Sequence, residues 1–144
     1  MGVNAIIEEL KKRRARIKRM IKQIFKHELL EELDKASELY WGVLNNVIYM
    51  LGLIDGVKLG EHSKIKIFIR QLAASLSNEF IVEAFRCAEV LHANYYHGFM
   101  DRDLYKNHAE KVLRLILMLD RIFQEKLLEK IPRSDADRIL KELP

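Results

Sequence analysis

Residues 29–53, LLEELDKASELYWGVLNNVIYMLGL, decide the fold class of this chain. Apolar side chains recur every three or four residues along the stretch, and their stripe is wider than a surface helix needs. A stripe of this width is typical of the central helix of a bundle, which packs against neighbours on several sides. Gly42 lies inside the stretch, and an isolated glycine within a helix predicts the close approach of a second helix.

The rest of the 144-residue chain continues the helical pattern. Six Gly and two Pro are too few turn residues for a β-sandwich or a doubly wound α/β fold. The sequence therefore predicts an all-α, up-and-down bundle of four or five helices, with a basic N-terminal helix and a short C-terminal helix. Gly98 predicts the end of the fourth helix, and Asp101 predicts the start of the fifth. The predicted helices are 3–27, 29–53, 62–76, 78–97, 101–131 and 135–143, in segments 1–27, 28–131 and 132–144.

Several classes of protein are excluded by composition. Cys87 is the only cysteine, which excludes an internal disulfide and a cysteine-only zinc site. No apolar run approaches the roughly 20 residues of a membrane span, and the N-terminus lacks the apolar core of a signal peptide, so we expect a cytoplasmic protein. The histidines form no i,i+4 pair, and no glycine-rich phosphate loop occurs, so neither a metal nor a cofactor is predicted.

The predicted N-terminal helix carries most of the excess positive charge. Residues 1–27 hold nine Lys and Arg against Glu8 and Glu9. Apolar residues recur between the cations at helical spacing, which indicates a basic amphipathic helix. Such helices contact nucleic-acid phosphates, a membrane surface or a calmodulin-type partner, or they pack on their own domain and leave the cations in water. The residues predicted to contact nucleic acid are Lys11, Lys12, Arg13, Arg14, Arg16, Lys18 and Arg19.

The predicted fourth helix is apolar on two faces. One face matches a bundle core and consists of Ile81, Ala84, Ala88, Leu91 and Tyr95. Val82, Val90 and Ala93 form a second apolar group, with Arg86 among them. A helix that is apolar on two faces usually buries both, so we expect a homodimer with Arg86 at or near its interface. Between the two faces lie Glu89, His92 and Tyr96, and this spacing lets the Glu89 carboxylate orient the His92 imidazole.

Two segments carry a resemblance to a known family. Residues 88–96, AEVLHANYY, and residues 35–42, KASELYWG, resemble signatures of the archaeal PaREP family over roughly residues 29–123. PaREP proteins are similar to the HEPN superfamily of helical bundles, which often dimerise. Arg86 and His92, with five residues between them, fit the superfamily signature of an arginine followed after four to six residues by a histidine. The resemblance implies a metal-independent ribonuclease or toxin, or a nucleotide-binding partner of a nucleotidyltransferase-type or antitoxin protein.

RNA chemistry would give these residues distinct roles. His92 would take the proton of a ribose 2′-hydroxyl, and Arg86 would stabilise charge on the attacked phosphate. Asn94 and Tyr96 would position the substrate, and Glu89 would hold the His92 tautomer. Residues six apart on a helix differ by about 120° around it and about 9 Å along it, so a site that joins Arg86 and His92 would need two chains. The alternative is a non-catalytic nucleotide- or protein-binding module, in which His92 and Arg86 form structural ion pairs.

Overall fold

The computed structural model describes residues 2–141, which form six α-helices and no strand in that range. The predicted all-α bundle is confirmed, and each predicted helix has a counterpart. Met1 and residues 142–144, which include the predicted end of the tail helix, lie outside the described residues. No helix between residues 2 and 141 combines the length and the apolar character that crossing a bilayer demands. The helices are α1 Val3–Leu29, α2 Leu33–Ile54, α3 His62–Ser75, α4 Phe80–His97, α5 Arg102–Lys130 and α6 Arg133–Leu140.

The central helix of the bundle is α2, which packs against α1, α4 and α5. More than half of its residues are buried, as the wide apolar stripe predicts. A Cβ atom at Gly42 would overlap the terminal methyl group of Met20 on α1. The close approach of a second helix at Gly42 is therefore confirmed, and the second helix is α1.

Residues close to the helix ends determine where α4 begins and ends and where α5 begins. Gly98 has a φ of 57° and donates its N–H to the carbonyl oxygen of Asn94 at 2.7 Å, which ends α4. The Asp101 carboxylate accepts the N–H of Leu104 at 2.8 Å and caps α5, as predicted. Helix α4 begins at Phe80, two residues later than predicted. The Asn78 side-chain oxygen accepts the Phe80 N–H at 3.1 Å, which holds Asn78 outside the helix.

The N-terminal helix belongs to the bundle. Helix α1 packs along α2 and buries Ile7, Leu10, Ile17 and Ile24, and α6 packs against α1 and α5. Tyr95, which the spacing places on the core face of α4, lies in the last turn of the helix and is 41% exposed, so its predicted core position is wrong.

The loop between α2 and α3 folds back over the end of α2. Val57 donates its N–H to the Gly52 carbonyl oxygen at 2.8 Å, and Leu59 is buried against the end of the helix. A Cβ at Gly52 would lie 2.6 Å from Leu59 Cδ1 and 2.9 Å from the Val57 carbonyl oxygen, so this tight return requires glycine. The loop delivers His62 to the start of α3, which packs mainly against α4 at the edge of the bundle.

Candidate functional site

The His92 imidazole on α4 is held by a carboxylate from α2. Its Nδ1 lies 2.9 Å from Oε2 and 3.2 Å from Oε1 of Glu38. The prediction that Glu89 orients the His92 imidazole is wrong. Glu89 contacts His62 and Lys66 on α3, and the carboxylate beside the His92 ring is that of Glu38 on α2. The His92 side chain is 35% exposed, and its Nε2 has no hydrogen-bond partner among residues 2–141. A carboxylate on one ring nitrogen and a free second nitrogen are what proton transfer requires of a histidine.

Trp41 lies one helical turn after Glu38 and contacts two imidazole rings. The His92 ring stacks on the indole with centroids 4.9 Å apart and planes 23° apart. The His62 ring meets the same indole edge-on, with centroids 5.5 Å apart. Trp41 is half-buried, and its indole is a shared neighbour of the two histidine rings.

Glu89 serves His62 instead of His92. The Nε2 of His62 lies 3.0 Å from Oε2 of Glu89, and the Nζ of Lys66 lies 3.5 Å from the same oxygen. His62 is not among the predicted site residues, because its contact with Trp41 depends on how the loop after α2 and helix α3 pack against the bundle. The site therefore contains two imidazole–carboxylate pairs, His92–Glu38 and His62–Glu89, and both imidazoles contact Trp41.

Both histidines line a surface groove of about 440 Å³, which lies within the range of small-molecule sites. Arg13 is fixed in its wall: Nε donates to Glu9 at 2.9 Å and Nη1 donates to Asn46 at 3.0 Å. The guanidinium also lies 3.9 Å above the centre of the Tyr49 ring. The groove combines aromatic surface, amide groups and a cation, a set that suits a nucleobase and its phosphate. Its other lining residues include Trp41, Asn45, Leu59 and Ile65.

Arg86 is exposed and lies outside this groove. It lines a shallow cleft of about 770 Å³ with Arg70 and Phe80, and a smaller one with Lys66 and Glu89. Within one chain, the structure therefore does not bring Arg86 and His92 to a common cavity. This agrees with the angular separation of residues six apart on one helix.

The Asn94 side chain connects α4 to its neighbours by hydrogen bonds. It is buried, its Nδ2 donates to the Ser37 hydroxyl at 3.2 Å, and its side-chain oxygen accepts the N–H of Met100 at 2.9 Å. The predicted role of Asn94 in positioning substrate is therefore wrong, because its donor and its acceptor tie α4 to α2 and to the following loop. Tyr96 is exposed, and the edge of its ring meets His92 with centroids 5.3 Å apart.

The basic residues of α1 differ in their surroundings. Arg14 has no exposed surface, and its Nη1 donates to Asp120 on α5 at 2.9 Å. Burial lowers the pKa of the Arg14 guanidinium, and the Asp120 carboxylate opposes that shift. The predicted contact of Arg14 with nucleic acid is therefore wrong, because the residue lies between α1 and α5. Lys12, Arg16 and Arg19 are exposed, and Lys11 and Lys18 are half-buried.

The titratable residues also indicate what the site does not contain. Burial raises the pKa of the Cys87 thiol, so this cysteine is a poor nucleophile. Within residues 2–141, His, Cys, Asp and Glu side chains form no group of three that could hold a metal ion.

A family model matches most of the chain. The archaeal PaREP1/PaREP8 family matches residues 3–116. The matched range begins in α1 and ends within α5, so it includes the basic helix that the motif resemblance leaves out. No curated protein and no solved structure matches the chain.

Proposed function

The chain belongs to the archaeal PaREP1/PaREP8 family, and we propose that it is an RNA-directed protein that binds an unpaired nucleotide in the Trp41 groove and cleaves the adjoining phosphodiester. The observation that supports this proposal is the His92–Glu38 pair, whose free Nε2 belongs to a residue that lines the groove. His92 is the general base in this proposal, and Glu38 holds it in the required tautomer.

The reaction follows from the free nitrogen of His92. The Nδ1–H donates to Glu38, so the neutral ring has its lone pair on Nε2. This nitrogen removes the proton of the ribose 2′-hydroxyl, and the 2′-oxygen forms a bond to the adjacent phosphorus. The bond from phosphorus to the 5′-oxygen breaks, the 5′-oxygen takes up a proton, and a 2′,3′-cyclic phosphate remains. No metal ion takes part in these steps.

Positive charge for the phosphate is available from the groove wall. Arg13 uses Nε and Nη1 for contacts with Glu9 and Asn46, and its Nη2 has no acceptor among residues 2–141. A donor of this kind stabilises the charge that grows on the phosphate oxygens. The predicted action of Arg86 on the same phosphate as His92 requires a second copy of the chain, and the homodimer stays a prediction.

A second candidate function is non-catalytic binding of a nucleotide. It is favoured by the position of Arg86, which shares no cavity with His92 within one chain. Under this alternative the same groove binds the ligand, and the two histidines recognise it without transferring protons. Nucleotide binding without any cleavage is the expected result.

The test uses labelled single-stranded RNA in the presence of EDTA. We expect the wild-type protein to yield fragments that carry 2′,3′-cyclic phosphate ends when they are first released, and His92→Ala to cleave at least about 100-fold more slowly. The matched control is His108→Gln, which should leave the rate unchanged, because the one hydrogen bond of the His108 side chain among residues 2–141 is to the Leu104 carbonyl oxygen on its own helix.

The outcomes separate the two candidate functions. Trp41 is the only tryptophan, so its fluorescence reports directly on occupancy of the groove. Saturable quenching by RNA without cleavage would support the binding module. Equal cleavage by the wild type and by His92→Ala would contradict the role of His92, and RNA that neither quenches Trp41 nor is cleaved would contradict both functions.

A further inference from the structure

We propose that His62 is the general acid of the same reaction and delivers the proton that the departing 5′-oxygen needs. This inference rests on the proposed function and adds a second catalytic residue to it. With His62 in this role, the groove contains a base and an acid, and both contact Trp41.

The position of His62 supports the assignment. Its ring lines the same groove as His92, and both rings contact the Trp41 indole, with centroid distances of 5.5 and 4.9 Å. His62 also stacks on Phe85 of α4, with planes 20° apart, so its ring has a fixed orientation although its side chain is half exposed. Two imidazoles that line one groove suit a reaction in which one ring removes a proton from the substrate and the other ring supplies one.

The charges around His62 suit an acid. Glu89 on α4 contacts Nε2 at 3.0 Å, and because a carboxylate only accepts, Nε2 donates its N–H to it. Lys66 on α3 lies 3.5 Å from the same carboxylate and shares its charge, and Arg13 of α1 also lines the groove. Because Nε2 is held by Glu89, the proton available for transfer is the one on Nδ1, which has no partner among residues 2–141.

The proton balance closes over two steps. In the first step His92 gains the 2′-hydroxyl proton, and protonated His62 gives its Nδ1 proton to the 5′-oxygen as the P–O5′ bond breaks. In the second step water attacks the cyclic phosphate. Neutral His62 takes a proton from this water, and protonated His92 gives its proton to the 2′-oxygen as the P–O2′ bond breaks. Both histidines return to their starting states, and no further reactant is consumed.

The experiment compares two RNA substrates that differ in one leaving atom. One has the ordinary 5′-oxygen, and the other has sulfur at the 5′-bridging position, which leaves as a thiolate and needs no proton. We expect His62→Ala to cleave the ordinary RNA at least about 100-fold more slowly than wild type, yet to cleave the sulfur-bridged RNA within a few-fold of wild type. His92→Ala should be slow on both substrates, because the 2′-hydroxyl must lose its proton in each case.

A second variant guards against a structural explanation. Glu89→Gln keeps a side chain that can contact His62 but removes the negative charge, so it should slow the ordinary substrate and spare the sulfur-bridged one. Equal losses on the two substrates for His62→Ala, or no loss on the ordinary RNA, would overturn the role of His62 and leave that of His92 intact. Failure of the wild type to cleave either RNA would overturn the proposed function and this inference with it.

Discussion

Charged side chains gather in two parts of this molecule, and their surroundings differ. In the Trp41 groove, His92 and His62 each contact a carboxylate through one ring nitrogen, and the other nitrogen has no hydrogen-bond partner among residues 2–141. Between α1 and α5, Arg14 contacts Asp120 with no exposed surface, and its Nε and Nη2 have no acceptor within the described residues. A ligand reaches the polar atoms of the first region and not those of the second. We infer that the groove serves function and that the Arg14–Asp120 pair affects stability alone.

The largest expected effect comes from removing one partner of the buried pair. Arg14→Ala leaves the Asp120 carboxylate, which is 15% exposed, without its cation and opens a space beside Phe123. We expect the free energy of unfolding to fall by about 3 kcal/mol, measured by urea denaturation. Arg16→Ala is the control, because Arg16 is exposed on the same helix and should change stability by less than about 0.5 kcal/mol.

Replacing both partners sharpens the comparison. Arg14→Met combined with Asp120→Leu removes both charges and refills the space, so its stability should return to within about 1 kcal/mol of wild type. Binding of RNA to the groove, followed by the quenching of Trp41 fluorescence, should be the same in this double variant as in the wild type. If Arg14→Ala were no more destabilising than Arg16→Ala, the contrast between the two regions would fail.

A smaller effect on the free energy of unfolding is expected at alkaline pH, and it comes from two buried tyrosines, Tyr40 and Tyr105. Burial raises the pKa of Tyr40 to about 12, and burial together with donation to Glu28 at 2.6 Å raises the pKa of Tyr105 further. An unfolded tyrosine loses its proton near pH 10. The folded state therefore binds the proton more tightly, and stability present below pH 10 is lost as pH rises toward 12.

The measurement is the urea midpoint between pH 9 and pH 12. Tyr40→Phe removes one of these protons, so its stability should decline less steeply with pH than that of the wild type. Tyr49→Phe is the matched control, because Tyr49 is a half-buried groove residue beneath Arg13. An unchanged slope in Tyr40→Phe would contradict the assignment of the alkaline loss to Tyr40.

The smallest expected effect concerns the exposed face of α1. Lys12, Arg16 and Arg19 are exposed, lie on one face of the helix and have no ion pair among residues 2–141. If each neutralises one phosphate of a single strand, replacing all three by Gln should reduce the slope of log K against log salt by about two units. Replacing Lys126 and Lys130 by Gln is the control, because both already contact Asp55.

These substitutions test the basic face without disturbing the core. Deleting residues 1–27 would remove buried Ile7, Leu10, Ile17 and Ile24 along with the cations, so a loss of binding would have two causes. An unchanged salt slope in the triple variant would show that the exposed cations of α1 do not contact RNA. The groove alone would then account for binding.

Much of the fold was predictable because its signals are local. Gly98 ends α4 by adopting a left-handed conformation, and Asp101 caps α5 through its own side chain. The buried position of Arg14 also has a sequence signal, since it lies four residues after Leu10 and three before Ile17 on the apolar stripe. The prediction that Arg14 contacts nucleic acid followed its charge and not its position on the apolar stripe.

The sequence by itself determined the helices, their order, the central place of α2 and the presence of His92 on a partly exposed face of α4. Only the tertiary structure decided that His92 contacts Glu38, 54 residues away, and that Glu89 contacts His62. Helical periodicity gives the direction of a side chain from its own axis, whereas its partner depends on how neighbouring helices are rotated and shifted against each other. The groove exists because the loop ending at His62 returns over α2, a path that no local pattern specifies.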